Sequence, residues 1–265
     1  MGKEIDIPKD IPKRKQIARA VLDRLVASTP FFRCEIVNPE RLENARNILR
    51  EGMGLCIVAT HFSQREAIQI YQIPFGDPEF RKRQVIAPLA VHQKLFFMDP
   101  LSHLLGLRVK YVVTDETVRR AEEKGKPVPK KNEGAREFMN DAVEILSRGG
   151  IIILFPQTTR RETLYSPKNP RTVGTLMHYA KKSNVRLGFL FVGVDLAKEV
   201  EDYSKVRGFN LFKRYTLTIG NSLTDEELLA KAGTRMAEVD KIVYKELKPL
   251  VSPKYANVPD DTGSV

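Results

Sequence analysis

The chain contains no tryptophan and only two cysteines, and none of its apolar runs approaches the ~18 residues of a membrane-spanning helix. Cys34 and Cys56 show no metal-ligand spacing, and Cys56 lies inside an apolar run. That sparseness argues against a disulfide framework or a thiolate metal site, and both read as reduced, buried thiols of a cytoplasmic protein. The start, Met1-Gly2-Lys3-Glu4, is too polar for a secretory signal, and Asp6 stands where a myristoylation signal needs Ser or Thr. There is no internal repeat, no low-complexity tract and no G-x-S-x-G nucleophile motif. A membrane contact, if made, is peripheral, on the inner face.

Positive charge is what the chain has in excess. Its 265 residues include 44 Lys+Arg against 33 Asp+Glu, a net charge of +11, with 42% hydrophobic residues to build a core. Such a balance favours anionic partners: phosphorylated small molecules, an anionic membrane surface or nucleic acid. No recognition-helix, RNP-type or zinc pattern supports nucleic acid.

Strand-like and helical patterns alternate along the chain, which predicts an α/β fold: a central, largely parallel sheet flanked by helices, with an N-terminal amphipathic helix. Three regions follow: an N-terminal helical segment (1–30), the α/β domain (31–256) and a disordered tail (257–265), with polar character already setting in after Pro253. In the helix Pro12–Ser28, Ile17, Ala18, Val21, Leu22 and Leu25 share a face. That stripe either packs on the domain or lies on a membrane surface, and one helix can do both. Beyond it the patterns predict strands at 32–37, 55–59, 85–91, 107–113, 151–155, 186–194 and 214–219. Pro88 would confine its strand to an edge or a bulge. Residues 74–78 read as a turn, the polar stretch 114–133 as a solvated loop, and Thr224–Leu247 as one helix opened by a Thr224/Glu227 capping box.

Two stretches carry the chemistry. In the first, the apolar run Leu55–Ala59 ends on Thr60-His61, and Ser63-x-x-Glu66 then opens a helix. His61 therefore sits on a strand-to-helix turn, where open α/β sheets place ligands. Within one helix, residues five apart stand about 140° from each other and do not meet. With His61 just before the helix and Glu66 in its first turn they can meet, and the carboxylate would then fix the imidazole tautomer and leave Nε2 as a base. In the second stretch, Ile151–Phe155 runs into Pro156-Gln157-Thr158-Thr159-Arg160. His92, His103 and His178 read as surface or packing residues.

His-x-x-x-x-acid after one strand and Phe-Pro-x-x-Thr-Arg after a later one resemble the glycerolipid O-acyltransferases that act on glycerol-3-phosphate and 1-acylglycerol-3-phosphate. Ile48-Leu49-Arg50-Glu51-Gly52 before the first strand, and Lys94-Leu95-Phe96 before Pro100 and Gly106, fit the same family, and the likeness covers roughly residues 40–250. The resemblance implies acyl transfer from acyl-CoA or acyl-carrier protein to a hydroxyl of an anionic, phosphorylated acceptor. In that scheme His61 is the general base and Glu66 its orienting carboxylate. Arg160 would hold the acceptor's phosphate, and Gln157, Thr158 and Thr159 would line the same turn; apart from the resemblance, Lys94 is a candidate phosphate contact because it follows a strand end near the presumed pocket. No metal or redox cofactor is implied. The chain departs from the family in having Glu66 for the usual Asp, and Gln157-Thr158 for Glu-Gly, and no counterpart to the second-block arginine or fourth-block proline. These mark a divergent member, whose acceptor can differ. A catalytically silent, lipid-binding relative of the same fold is the alternative.

Overall fold

A computed structural model describes residues 10–28, 34–61, 69–91, 98–130, 133–157, 164, 172–198, 200, 203 and 213–256. Among these, β1 (Cys34–Val37), β2 (Gly54–Ala59), β3 (Val85–Ala90), β4 (Leu107–Val112), β5 (Ile151–Leu154), β6 (Leu187–Leu196) and β7 (Tyr215–Thr224) form one sheet. Its order is β1-β7-β6-β2-β5-β3-β4. Every neighbouring pair is parallel except β6 with β7. The chain therefore forms the expected α/β architecture, a mostly parallel sheet flanked by helices.

The uninterrupted apolar runs have a direct cause. Every residue of β2, β5 and β6 is buried, as in strands covered on both faces. The helices come very close. A Cβ at Gly188 of β6 would stand 2.4 Å from Cγ2 of Ile48, on the helix Leu42–Arg50, so only glycine lets helix and strand approach this far. The helix Ala135–Leu146 buries Phe138, Ala142, Ile145 and Leu146, the face its spacing predicts.

Pro88 does not confine its strand to an edge or a bulge as expected, since β3 lies between β5 and β4. β3 pairs with β4 along its whole length but with β5 only through Val85 and Ile86. The proline thus lies beyond the two-sided part of the ladder, where the absent N–H costs nothing.

Four further expectations are corrected. The span 74–78 is not a plain turn: helices Gln72–Gly76 and Pro78–Arg81 meet there, and Asp77 caps the second by accepting from the Glu79 and Phe80 N–H groups. The solvated loop expected over 114–133 begins with a helix, Asp115–Glu123, opened by a capping box between Thr114 and Thr117. Arg119, Glu122 and Glu123 are exposed, and its neutral cap is easily overlooked. The single C-terminal helix is broken into Asp225–Lys231 and Val239–Leu247. Gly233 and Thr234 both take left-handed φ, near +60°, and stop the first piece. Its capping box at Thr224/Glu227 is present as predicted. Finally, polarity after Pro253 does not mean disorder: Pro253–Ala256 is helical and Tyr255 is fully buried. The tail 257–265 lies outside the described residues.

The N-terminal helix, α1 (Lys13–Ser28), exposes part of its apolar stripe and buries one of its charges. Ile17, Val21 and Leu25 are 63%, 50% and 58% exposed, whereas Arg19 is wholly buried. The expected stripe is therefore split: Ala18 and Leu22 are half-buried, while Ile17, Val21 and Leu25 do not take the packing role offered for them. Arg19 donates from Nε to the Leu105 carbonyl at 2.6 Å, from Nη1 to those of Arg83 at 2.6 Å and Arg81 at 3.0 Å, and from Nη2 to that of Gly106 at 2.9 Å. Its guanidinium also lies 5.3 Å from the Phe75 ring centroid. Among the described residues no helix is long and apolar enough to cross a membrane.

Candidate active site at the ends of two paired strands

β2 and β5 lie side by side and run in the same direction, so the segments that follow them leave the sheet together. Their register pairs Leu55 with Ile151 through Val58 with Leu154, residues 96 apart in sequence. His61 and Gln157 are also 96 apart, and they meet: the His61 backbone N–H donates to Gln157 Oε1 at 2.8 Å. The two stretches singled out in the sequence thus form one site at the carboxyl ends of adjacent parallel strands. That end of an open α/β sheet is where ligands bind.

Thr60 fixes the end of β2. It is fully buried, and its N–H bonds the Val192 carbonyl at 3.2 Å. Its hydroxyl Oγ1 then does what a backbone pair would do, donating to the Val194 carbonyl at 2.9 Å and accepting from the Val194 N–H at 2.8 Å. The ladder to β6 is thereby carried past Ala59 by a side chain, and His61 leaves from a fixed point. The imidazole lies against Phe155, with ring centroids 4.6 Å apart and planes inclined by 30°. His61 is partly exposed.

Gln157 is only 4% exposed. Its Oε1 also accepts from the Tyr255 hydroxyl at 3.3 Å. The Tyr255 ring lies tilted against that of Tyr203, centroids 4.9 Å apart, and its carbonyl accepts from the Leu164 N–H at 2.8 Å. The Tyr203 hydroxyl in turn bonds Asp195 Oδ1 at 2.6 Å, while Asp195 Oδ2 accepts from the Ser252 N–H at 2.6 Å. A buried polar network therefore runs from the His61 turn, through Gln157, to the C-terminal helix. Buried networks of this sort hold one geometry when every member is paired.

Of the residues proposed from sequence, the structure brings His61 and Gln157 together. Gln157 supports the histidine turn and the C-terminal helix from within, which is a different position from the substrate-lining one expected of it. Glu66, Lys94, Thr158, Thr159 and Arg160 lie outside the described residues, as does the Ser63 cap. Sequence reasoning missed Thr60, Phe155 and Tyr255 as parts of the site. Thr60 adjoins the histidine, so its position was a usable signal, whereas Tyr255 lies in a stretch read as tail and nothing local marks it. Among the described residues no group of three or more His, Cys, Asp or Glu side chains could hold a metal ion. A shallow cavity of about 350 Å³ lies elsewhere, between the start of α1 and β4, lined by Asp10, Lys15, Gln84, His103 and Arg108. It shares no residue with the His61 site.

Compared with protein-family models and with curated proteins, the sequence matches none.

Proposed function

We propose that the protein is an O-acyltransferase that moves a fatty acyl group from acyl-CoA or acyl-carrier protein to a hydroxyl of an anionic, phosphorylated acceptor. The observation that carries this reading is the juxtaposition of the His61 turn and the Phe155-Pro156-Gln157 turn, joined by the hydrogen bond from His61 N–H to Gln157 Oε1. These are the two stretches whose residue types resemble the glycerolipid acyltransferases, and their meeting supports the reading.

The chemistry needs few groups. His61 Nε2 takes the proton of the acceptor hydroxyl as its oxygen attacks the thioester carbonyl. The C–S bond breaks, and the departing thiolate recovers that proton from the imidazolium. Glu66 is the carboxylate that would orient the imidazole through Nδ1 and steady the imidazolium. General-base assistance of this type contributes about 10²–10⁴-fold in rate. Arg160, with Thr158 and Thr159 in the same turn, holds the acceptor's phosphate, and Lys94 adds a second positive charge. The acyl donor is a co-substrate, and the scheme asks for no other cofactor.

The test is thiol release from long-chain acyl-CoA and from acyl-carrier protein, each with glycerol-3-phosphate or lysophosphatidate. Wild type should release thiol only when an acceptor is present, His61→Ala should lose at least about a hundredfold of that rate, and Glu66→Asp should keep most of it. A folded protein that releases nothing from any combination would overturn the reading and favour a silent lipid-surface protein of the same fold.

A further inference from the structure

On α1 the exposed side carries Ile17, Val21 and Leu25, whereas the side toward the domain holds the buried Arg19 with Ala18, Ala20, Leu22 and Asp23 half-buried beside it. Ile17 and Val21 each stand about 160° round the helix from Arg19, and Leu25 continues their line, so the three form a ridge about 12 Å long directed away from the domain. The inward side is held without them, by four carbonyls around one guanidinium. α1 packs on the helix Met98–Leu105, which has two more exposed leucines, Leu101 at 39% and Leu104 at 59%. Large aliphatic side chains exposed singly are ordinary, but five on two packed helices call for an occupant.

The charge around the ridge says which. α1 carries five cationic residues and one acid, Asp23. Lys13, Arg14 and Arg24 are exposed beside the ridge, while the Asp23 carboxylate is turned inward, 3.3 Å from the Cβ position of Gly76. An apolar ridge edged by cations is complementary to a layer of acyl chains under anionic headgroups. We infer that α1 docks the protein on a bilayer surface containing anionic phospholipid, with Ile17, Val21 and Leu25 inserted at the headgroup boundary and Lys13, Arg14 and Arg24 against the phosphates. The inference goes beyond the acyl-transfer reading and stands without it.

The test uses the whole chain and vesicles of phosphatidylcholine alone or with roughly one-third phosphatidylglycerol. Wild type should float with the anionic vesicles and not with the neutral ones, and high salt should weaken the association. The triple variant Ile17→Ser/Val21→Ser/Leu25→Ser should lose at least about tenfold in partitioning, as should Arg14→Glu/Arg24→Glu, with thermal unfolding unchanged because these side chains are exposed. The absence of native tryptophan gives a second readout. Leu25→Trp should shift to the blue and be quenched by brominated acyl chains, whereas Val128→Trp, at another exposed position, should not. Equal flotation of wild type and the triple variant would overturn the inference. So would a wild type that stays off the vesicles, and one that stays off them while dimerising through the ridge would assign the ridge to a second copy of the chain. Turnover of glycerol-3-phosphate with soluble short-chain acyl-CoA, measured without vesicles, keeps the two proposals apart. The triple variant should retain it, and its absence from wild type would count against acyl transfer alone.

Discussion

The backbone N–H of His61 and the side-chain amide oxygen of Gln157 are joined across 2.8 Å, at the ends of strands whose register already sets their residues side by side. The acceptor is buried and also serves the Tyr255 hydroxyl. Gln157→Ala removes the acceptor of both these hydrogen bonds, at about 1–3 kcal/mol. Denaturant unfolding should show that loss of stability. If His61 is the base, kcat should fall at least about tenfold with KM changed much less, because the turn that aims the imidazole is slackened. Gln157→Glu keeps an acceptor at the same place and should recover most of both quantities at neutral pH. Equal losses from Ala and Glu would remove Gln157 from any role in placing the histidine.

Thr60→Val tests the other support of that turn. The two side chains have nearly the same shape, but valine cannot exchange hydrogen bonds with Val194, whose N–H and carbonyl would both be left buried and unpaired. A loss of about 2 kcal/mol is expected by chemical denaturation, from the desolvation of those two groups. Thr60→Ser keeps the hydroxyl and should cost less than half as much.

The sheet and the meeting of the two motifs were legible because strands buried on both faces read as unbroken apolar runs, as Leu55–Ala59 and Ile151–Leu154 do. Placing His61 at a strand's carboxyl end needed only that run and the polar residues after it. Other features turn on tertiary partners that no local pattern records. Arg19 sits where a periodicity argument puts charge outward, and only the carbonyls of Arg81, Arg83, Leu105 and Gly106 make its burial affordable. Tyr255 is fixed by Leu164 and Gln157, far off in sequence. The helix Asp115–Glu123 was hidden for a different reason: its composition is that of a loop, and its start is marked by Thr114 and Thr117 rather than by an apolar stripe.

The two thiols should be silent in the folded protein. Burial pushes the Cys34 thiol up to about 12, and raises that of Cys56, which is fully buried, well above its ordinary value. At pH 8 a thiol of pKa 12 is about one part in 10⁴ thiolate, the reactive form. Native protein should therefore add almost nothing to a colorimetric thiol-release assay, and guanidinium should expose both groups. The same shift has a consequence for stability. A thiol that holds its proton more tightly when folded contributes stability that is fully present below pH 9, its unfolded range, and lost as pH rises towards 12. Denaturant midpoints measured from pH 8 to 11 should fall less steeply for Cys34→Ala than for wild type. Rapid labelling of Cys34 in the native protein at pH 8 would contradict this assignment.

Arg19 is the residue on which the orientation of α1 depends. Burial lowers its guanidinium to about 10, which still leaves it charged at neutral pH, so it faces four carbonyls as a full cation. Hydrogen bonds to a charged group contribute about 1.5–3 kcal/mol each, and a methionine in its place would leave those carbonyls facing a thioether. Arg19→Met should destabilise the protein by at least about 3 kcal/mol, or detach α1 alone if the helix opens separately from the sheet. Hydrogen exchange distinguishes the two outcomes: local release raises exchange in residues 13–28 while β2, β5 and β6 stay protected, and global loss raises it everywhere. Arg19→Lys restores the charge, but an ammonium has three donors on one centre and cannot span carbonyls of Arg81, Arg83, Leu105 and Gly106 at once. It should recover less than half of the loss. If lysine restored wild-type stability, the fork geometry would be irrelevant and charge alone would hold the helix with its apolar ridge outward.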